Sequence, residues 1–357
     1  MIHFRTMLVS FACLAAASSQ LCAQTVSNPA LNEPDRVAWE LFAKVNAPAA
    51  TAGNNNAMFE TWATDDDTFN PSPQWPTTAP VAKLKVPALV RLAPRRPGLQ
   101  PHVTPGGGEE VRRNRVAFDF IVNNKLYLRS GLKAAFAAGI TISFPESAIE
   151  VKANWIPVTP NLDRTMYHIN TASDGKEYAL VSMHIISKIV PNWTWATFEH
   201  RINAGRCDYM GCRDNFGAAI KYVSPQTQTG KQYPPCDKSP ELKKMFADGK
   251  LDSVWDNYCL KGTQTDFTTP TGLPTLLGNS VTEKGFVSSS SCITCHSRAS
   301  VTATGADAQG AGFIGTASPN GTPVPTWFWN NPGKPNQTLK AFQTDFVWAI
   351  PLAAVGP

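Results

Sequence analysis

The chain has 357 residues, with 32 Lys and Arg against 27 Asp and Glu, for a formal net charge of +5. So mild an excess gives no ground for a nucleic-acid partner. A hydrophobic share of 43% with 29 Pro and 24 Gly describes a globular chain with long loops, either one large domain or two small ones.

Residues 1–23 carry Arg5, an apolar run from Met7 to Ala17 and small residues ending at Ala23. This is the pattern of a secretory signal peptide, with cleavage expected after Ala23. The run is shorter than the roughly 20 residues that span a bilayer, and no other apolar stretch is long enough. The expectation is a chain without a membrane span after cleavage, in the periplasm or secreted. Asp35 to Val45 places Val37, Leu41, Phe42 and Val45 at helical spacing. Residues 46–108 read as an irregular segment, with basic residues from Lys83 to Arg96. Such a run is ordinarily a solvated loop; the sharper reading is a dock for an acidic electron-transfer partner. Glu109 to Tyr127 reads as a helix with Arg112, Arg113 and Arg115 exposed, and Leu132 to Ala138 as a second helical stretch. Together, residues 24–139 form an N-terminal helical and loop region.

Strands dominate the middle of the chain. Ile149, Val151, Ala153 and Trp155 alternate with Glu150, Lys152 and Asn154. Tyr178 to Val190 places Val181, Met183 and Ile185 on one face, and Leu180, His184 and Ile186 on the other. Trp193 to His200 continues the sheet, with Trp193, Trp195 and Glu199 on one face and Ala196, Phe198 and His200 opposite. Pro240–Ala247 and Leu251–Cys259 read as helices, and Asp345–Ile350 as a late strand.

Cys292-Ile293-Thr294-Cys295-His296 carries the most chemistry. It reads C-x-x-C-H, the attachment sequence of c-type haem. Two thiols at this spacing each add to one porphyrin vinyl group, and the adjoining His296 becomes the proximal iron ligand. A zinc site would need two further ligands at sensible spacing, and a redox dithiol would open a helix in a βαβ unit. Neither context is visible. The expected cofactor is therefore one covalent haem c. Cys13 and Cys22 leave with the signal peptide. Cys207, Cys212, Cys236 and Cys259 remain, and in an oxidising compartment they are expected to form two disulfides, with all three connectivities open.

No Met or His follows the motif. A second axial ligand must come from upstream, from His102, His168, His184, His200, Met58, Met166, Met183, Met210 or Met245, or from Lys334 or Lys340. His184 and His200 are the leading distal candidates, although a histidine on an apolar strand is more often a hydrogen-bonded core residue. Trp193 and Trp195 line the haem in the sharp reading and fill the core in the plain one. Glu199, beside Trp195, is a candidate proton acceptor for a haem-bound substrate, or simply one half of an ion pair with Arg201 or Lys188.

The order Phe144-Pro145-Glu146-Ser147-Ala148-Ile149-Glu150-Val151-Lys152, then Trp193-Thr194-Trp195-Ala196-Thr197-Phe198-Glu199, then C-x-x-C-H, then Asp345-Phe346-Val347-Trp348 resembles the β-sheet c-type cytochromes. That group holds cytochrome c′-beta and the hydroxylamine-oxidising mono-haem cytochromes. The layout also resembles large bacterial mono-haem cytochromes. The resemblance spans roughly residues 140–200 and 285–352. It implies an α+β fold whose antiparallel sheet packs on a C-terminal haem with an open distal side, flanked by helices and long Pro/Gly-rich loops. The β-rich haem domain is then expected over 140–357, with a disulfide-bearing insertion at about 201–285. Two functions follow as expectations. One is a periplasmic electron-transfer protein with a redox partner. The other is a haem enzyme or gas binder acting on hydroxylamine, nitrogen oxides or peroxide.

Overall fold

The structure, a computed structural model, describes residues 28–49, 56–76, 108–172, 174–226, 230–309 and 319–356. The signal segment 1–23 and the basic run Lys83–Arg96 lie outside these residues. Among the described residues no helix is long and apolar enough to cross a membrane.

The protein is α+β, built on one antiparallel sheet. In chain order the first elements are α1 (Pro29–Asn32), α2 (Pro34–Asn46), β1 (Ala63–Thr64), α3 (Asp65–Thr68), β2 (Gly108–Arg113), α4 (Arg115–Asn123) and α5 (Arg129–Ala138). β3 (Ile149–Pro157), β4 (Ile169–Thr171), β5 (Glu177–Ser187), β6 (Thr194–His200), β7 (Cys212–Arg213) and β8 (Tyr222–Val223) come next. The chain closes with α6 (Pro240–Asp248), β9 (Tyr258–Gln264), α7 (Cys292–Ser297) and α8 (Ala349–Ala353). The sheet runs β1-β2-β3-β5-β6-β9, with β4 pairing the start of β5. β1, β2 and α2 thus join the same sheet and core as residues 140–357, so the compositional break near 140 does not divide the core.

Each face of the sheet covers a different core. On the first, Val151, Met183, Ile185, Phe198 and Leu260 meet Trp39 and Phe42 of α2 and Phe246 of α6. Burying each such side chain contributes about 1.5–3 kcal/mol. Pro34 fits the first turn of α2, where its missing N–H costs nothing, and the apolar residues then recur at helical spacing. The second face carries Ile186 and Trp195, and against it lie Leu277, Cys292 and Ile293. The same face carries Lys152, Asn154, His184, Thr197 and Glu199 as cross-strand neighbours. Polar side chains therefore face inward across three strands on this side.

Several sequence expectations are corrected. Leu180 shares the first face with Met183 and Ile185, because the pairing of β3 with β5 shifts between Asn154 and Trp155 and leaves Val181 without a partner there. One extra residue reverses the alternation of every residue before it. Glu109 to Tyr127 is not one helix: Gly108–Arg113 is a strand, and the helix begins at Arg115 under an Asn114 cap. Arg112 and Arg113 are buried, neutralised by Glu110, Asp65 and Glu150. Leu251–Cys259 divides into a turn of 3-10 helix, Ser253–Asn257, and the start of β9. Asp345–Ile350 is not a strand, since Asp345 and Phe346 take φ of 49° and 70° and α8 starts at Ala349.

The four remaining cysteines pair as Cys207–Cys212 and Cys236–Cys259. The second bridge ties the insertion to β9 across 23 residues. Replacing Cys236 and Cys259 together by Ala is expected to lower the unfolding free energy by about 3 kcal/mol, from the loop-closure entropy of the unfolded chain. Urea unfolding of the variant beside wild type measures this; coincident midpoints would show that the bridge contributes nothing.

Candidate haem site

α7 is a single short helix, and it sets Cys292 and Cys295 three residues apart on one side. Both are free thiols, whereas the other four described cysteines are bridged. Gln264 of β9 accepts from Ile293 N at 3.0 Å, and Trp348 Nε1 donates to Cys295 O at 3.2 Å. The helix is therefore fastened at both ends, to the sheet and to the C-terminal strap.

His296 is held by that strap. Its Nδ1 lies 2.8 Å from Phe346 O, and its ring packs on Trp195 with centroids 4.6 Å apart. Burial pushes the imidazole down to about 3, the Phe346 hydrogen bond opposing only in part. A carbonyl can only accept, so the neutral ring carries its proton on Nδ1 and leaves the Nε2 lone pair free. The carbonyl that fixes this tautomer belongs to Phe346, in the left-handed region directly after Asp345 in the same region. Non-glycine residues held there cost on the order of 1–3 kcal/mol each and gather where function requires them. Asp345 is secured by Lys188 at 2.6 Å and by Phe144 N at 2.7 Å. Trp193 packs beside this anchor, 5.6 Å from the Phe144 ring and under Lys188 Nζ at 5.8 Å. It sits at φ 59° just before β6, so it supports the strap rather than continuing the strand.

Cys295 and His296 keep some accessible surface. Desolvation is nevertheless the leading influence on both, pushing Cys295 up to about 12 and His296 down. The Cys292 thiol is also raised by burial. Two neutral, unbridged thiols on one helix side and an imidazole with its Nε2 lone pair free fit a thioether-linked haem with a single protein imidazole ligand. Among the described residues no three His, Cys, Asp or Glu side chains converge as a metal-holding group.

Polar groups gather on the same sheet face: Lys152 and His184 are cross-strand neighbours, and the Glu283 carboxylate lies 3.4 Å from His184 Nε2. Glu283 arrives on a segment, residues 277–283, that crosses the second face. Asn154 of β3 donates to Thr282 Oγ1 at 2.8 Å, and Asn279 Nδ2 lies 3.2 Å from Thr197 Oγ1 of β6. Ser280 N donates to Glu199 Oε1 at 2.9 Å, with Ser280 Oγ on Oε2. Lys152 pairs with Glu109 at 2.8 Å, which holds its ammonium above the usual range although burial opposes.

The sequence-predicted residues therefore separate. Trp195 touches His296, and His184 and Glu199 share the motif's face. His200 points to the other face, away from the motif, stacked on Tyr167 at 4.0 Å and bonded to Met166 O. Glu199 is buried as expected, but its carboxylate is occupied by Ser280, Asn203 and Lys261, not by Arg201 or Lys188. It anchors the crossing segment. Lys152, Asn279 and Glu283 escaped the sequence reading. The polar set Glu150, Lys152, Asn154 on β3 was the available signal, and it reads equally well as a solvent face. No protein-family model matches this chain, and no curated protein and no solved structure is significantly similar to it.

Proposed function

We propose that the chain is an exported mono-haem c-type cytochrome, a redox protein holding one haem through Cys292 and Cys295 with His296 as proximal ligand. The observation that carries this is the His296 arrangement: a C-x-x-C-H imidazole whose Nδ1 is fixed on Phe346 O beside two free thiols. When bound, the haem supplies one-electron chemistry, with a potential set by axial ligation and burial.

The chain's own residues define the surroundings. Trp195 packs on the His296 ring and restrains its rotation. The Phe346 carbonyl raises the ligand basicity of Nε2 by accepting from Nδ1. Ile186, Leu277 and Ile293 pack in one apolar cluster with Cys292, which shields that part of the site from water. The leader pattern and the two disulfides support a periplasmic or secreted location.

Electron transfer is the broad function. A second reading, small-molecule binding at an open distal face, is favoured by the inward polar wall of Lys152, His184, Asn279 and Glu283. The test is to purify the protein from a host that attaches haem to C-x-x-C-H and take its denatured spectrum in alkaline pyridine. A bis-thioether haemochrome that also titrates reversibly by one electron is expected. A colourless protein would overturn the reading.

A further inference from the structure

Two unfavourable features meet in the strap that holds His296. Asp345 and Phe346 stand at φ 49° and 70°, a region that non-glycine residues occupy only when their surroundings over-determine it. Lys188 and Asp345 form an ion pair at 2.6 Å with side chains only 8% and 7% exposed. A pair so buried loses its hydration, and adds little net stability over apolar residues of the same volume. Both features adjoin the Phe346 carbonyl, 2.8 Å from His296 Nδ1. Direct contacts tie them together. Asp345 Oδ1 accepts from Lys188 Nζ, and Oδ2 accepts from the Phe144 backbone at 2.7 Å. Lys188 Nζ also donates to Pro191 O at 2.8 Å, so the ammonium joins the β5–β6 turn to the strap. Thr344 N donates to Ala299 O at 2.9 Å on one side, and Trp348 Nε1 to Cys295 O at 3.2 Å on the other. The Asp345–Phe346 peptide lies between these anchors, and the Asp345 carboxylate holds it in place.

Building on the haem reading above, we propose that Lys188 and Asp345 are positioning residues that set the ferric–ferrous equilibrium of the haem, because their ion pair holds Phe346 O on His296 Nδ1. A carbonyl accepting from Nδ1 makes Nε2 the stronger donor, and a stronger donor favours ferric iron. Without the pair, the strained turn relaxes, the hydrogen bond weakens, and the ferrous state gains. Lys188 lies in the turn after β5 and Asp345 in the strap, 157 residues apart in the chain. Each acts through Phe346, and neither gains nor loses a proton. The two unfavourable features thereby share one purpose, the placement of a single carbonyl.

The test is a potentiometric titration of the holoprotein followed optically, so the reading does not depend on turnover. Lys188→Met keeps the length of the side chain and removes its charge. It is expected to shift the equilibrium toward ferrous haem about tenfold, the lower end for an outer partner of a metal ligand. For one electron that is a rise of about 59 mV. Asp345→Asn and the double variant should rise by a similar amount, because each breaks the same pair. Lys188→Arg keeps the pair and should stay near wild type. Direct action of the charges on the iron predicts another pattern: loss of the cation lowers the potential, loss of the anion raises it, and loss of both nearly cancels. A fall in Lys188→Met, or an unmoved double variant, would therefore overturn the assignment. If Lys188→Met fails to fold, Lys188→Gln decides. It keeps a donor for Asp345 without the charge, so its potential should stay at or above wild type, and a fall overturns the assignment. A chain that carries no haem defeats the haem reading and this assignment with it, and that is seen before any potential is read.

Discussion

Replacing Cys292 and Cys295 together by Ala is expected to abolish covalent haem attachment. The loss should be complete, because the other described cysteines are bridged and cannot substitute. Each single replacement leaves one thioether and should keep the haem bound through a weaker anchor. Acid–organic extraction of the denatured protein separates these cases. Wild type and both single variants keep their colour in the protein phase, and the double variant yields none there. Colour retained by the double variant would place the attachment elsewhere. The fold should survive, since Cys292 is one small side chain in a core that also holds Trp193, Trp195 and Ile350.

Arg113→Leu is expected to destabilise the protein by about 3–5 kcal/mol, the cost of leaving buried carboxylates without their counter-charge. Arg113 is fully buried between Asp65 and Glu150, and it also donates to Thr64 O at 3.0 Å and Thr68 Oγ1 at 2.7 Å. Burial already holds Glu150 above the usual carboxylate range, with Arg113 opposing. Without the guanidinium that carboxyl would rise further, so the folded variant would bind more protons than the unfolded chain. The deficit relative to wild type should therefore shrink as pH falls through the carboxylate range. Denaturant unfolding at two pH values measures both effects; a deficit under about 1 kcal/mol at neutral pH, the scale of an exposed ion pair, would show that Arg113 does not hold the β1–β2 edge together.

These residues also show what the sequence conceals. Arg112, Arg113 and Arg115 look like one exposed helical face, because charge is normally a surface property. The counter-charges of Arg113 come from Asp65 and Glu150, far away in the chain, and only the folded sheet unites them. The run Asp345–Trp348 has a strand's pattern, yet Phe346 is turned so that its carbonyl meets His296. Period-two patterning in β3 and β6, the helical spacing of α2 and the C-x-x-C-H motif were all legible, because each is local. Glu283 and Asn279 were not, since their meeting with His184 depends on a loop crossing three strands. The same crossing explains why Glu199, legible as a buried carboxylate, proves to anchor that loop.

The most direct test of the haem assignment is tandem mass spectrometry of a tryptic digest. Cleavage after Lys284 and Arg298 releases Gly285–Arg298, a peptide that contains both motif cysteines and His296. The account predicts that this peptide carries the mass of one haem, fragments with both Cys292 and Cys295 modified, and resists thiol alkylation. The same peptide recovered without haem, with both thiols open to alkylation or joined to each other, would contradict it.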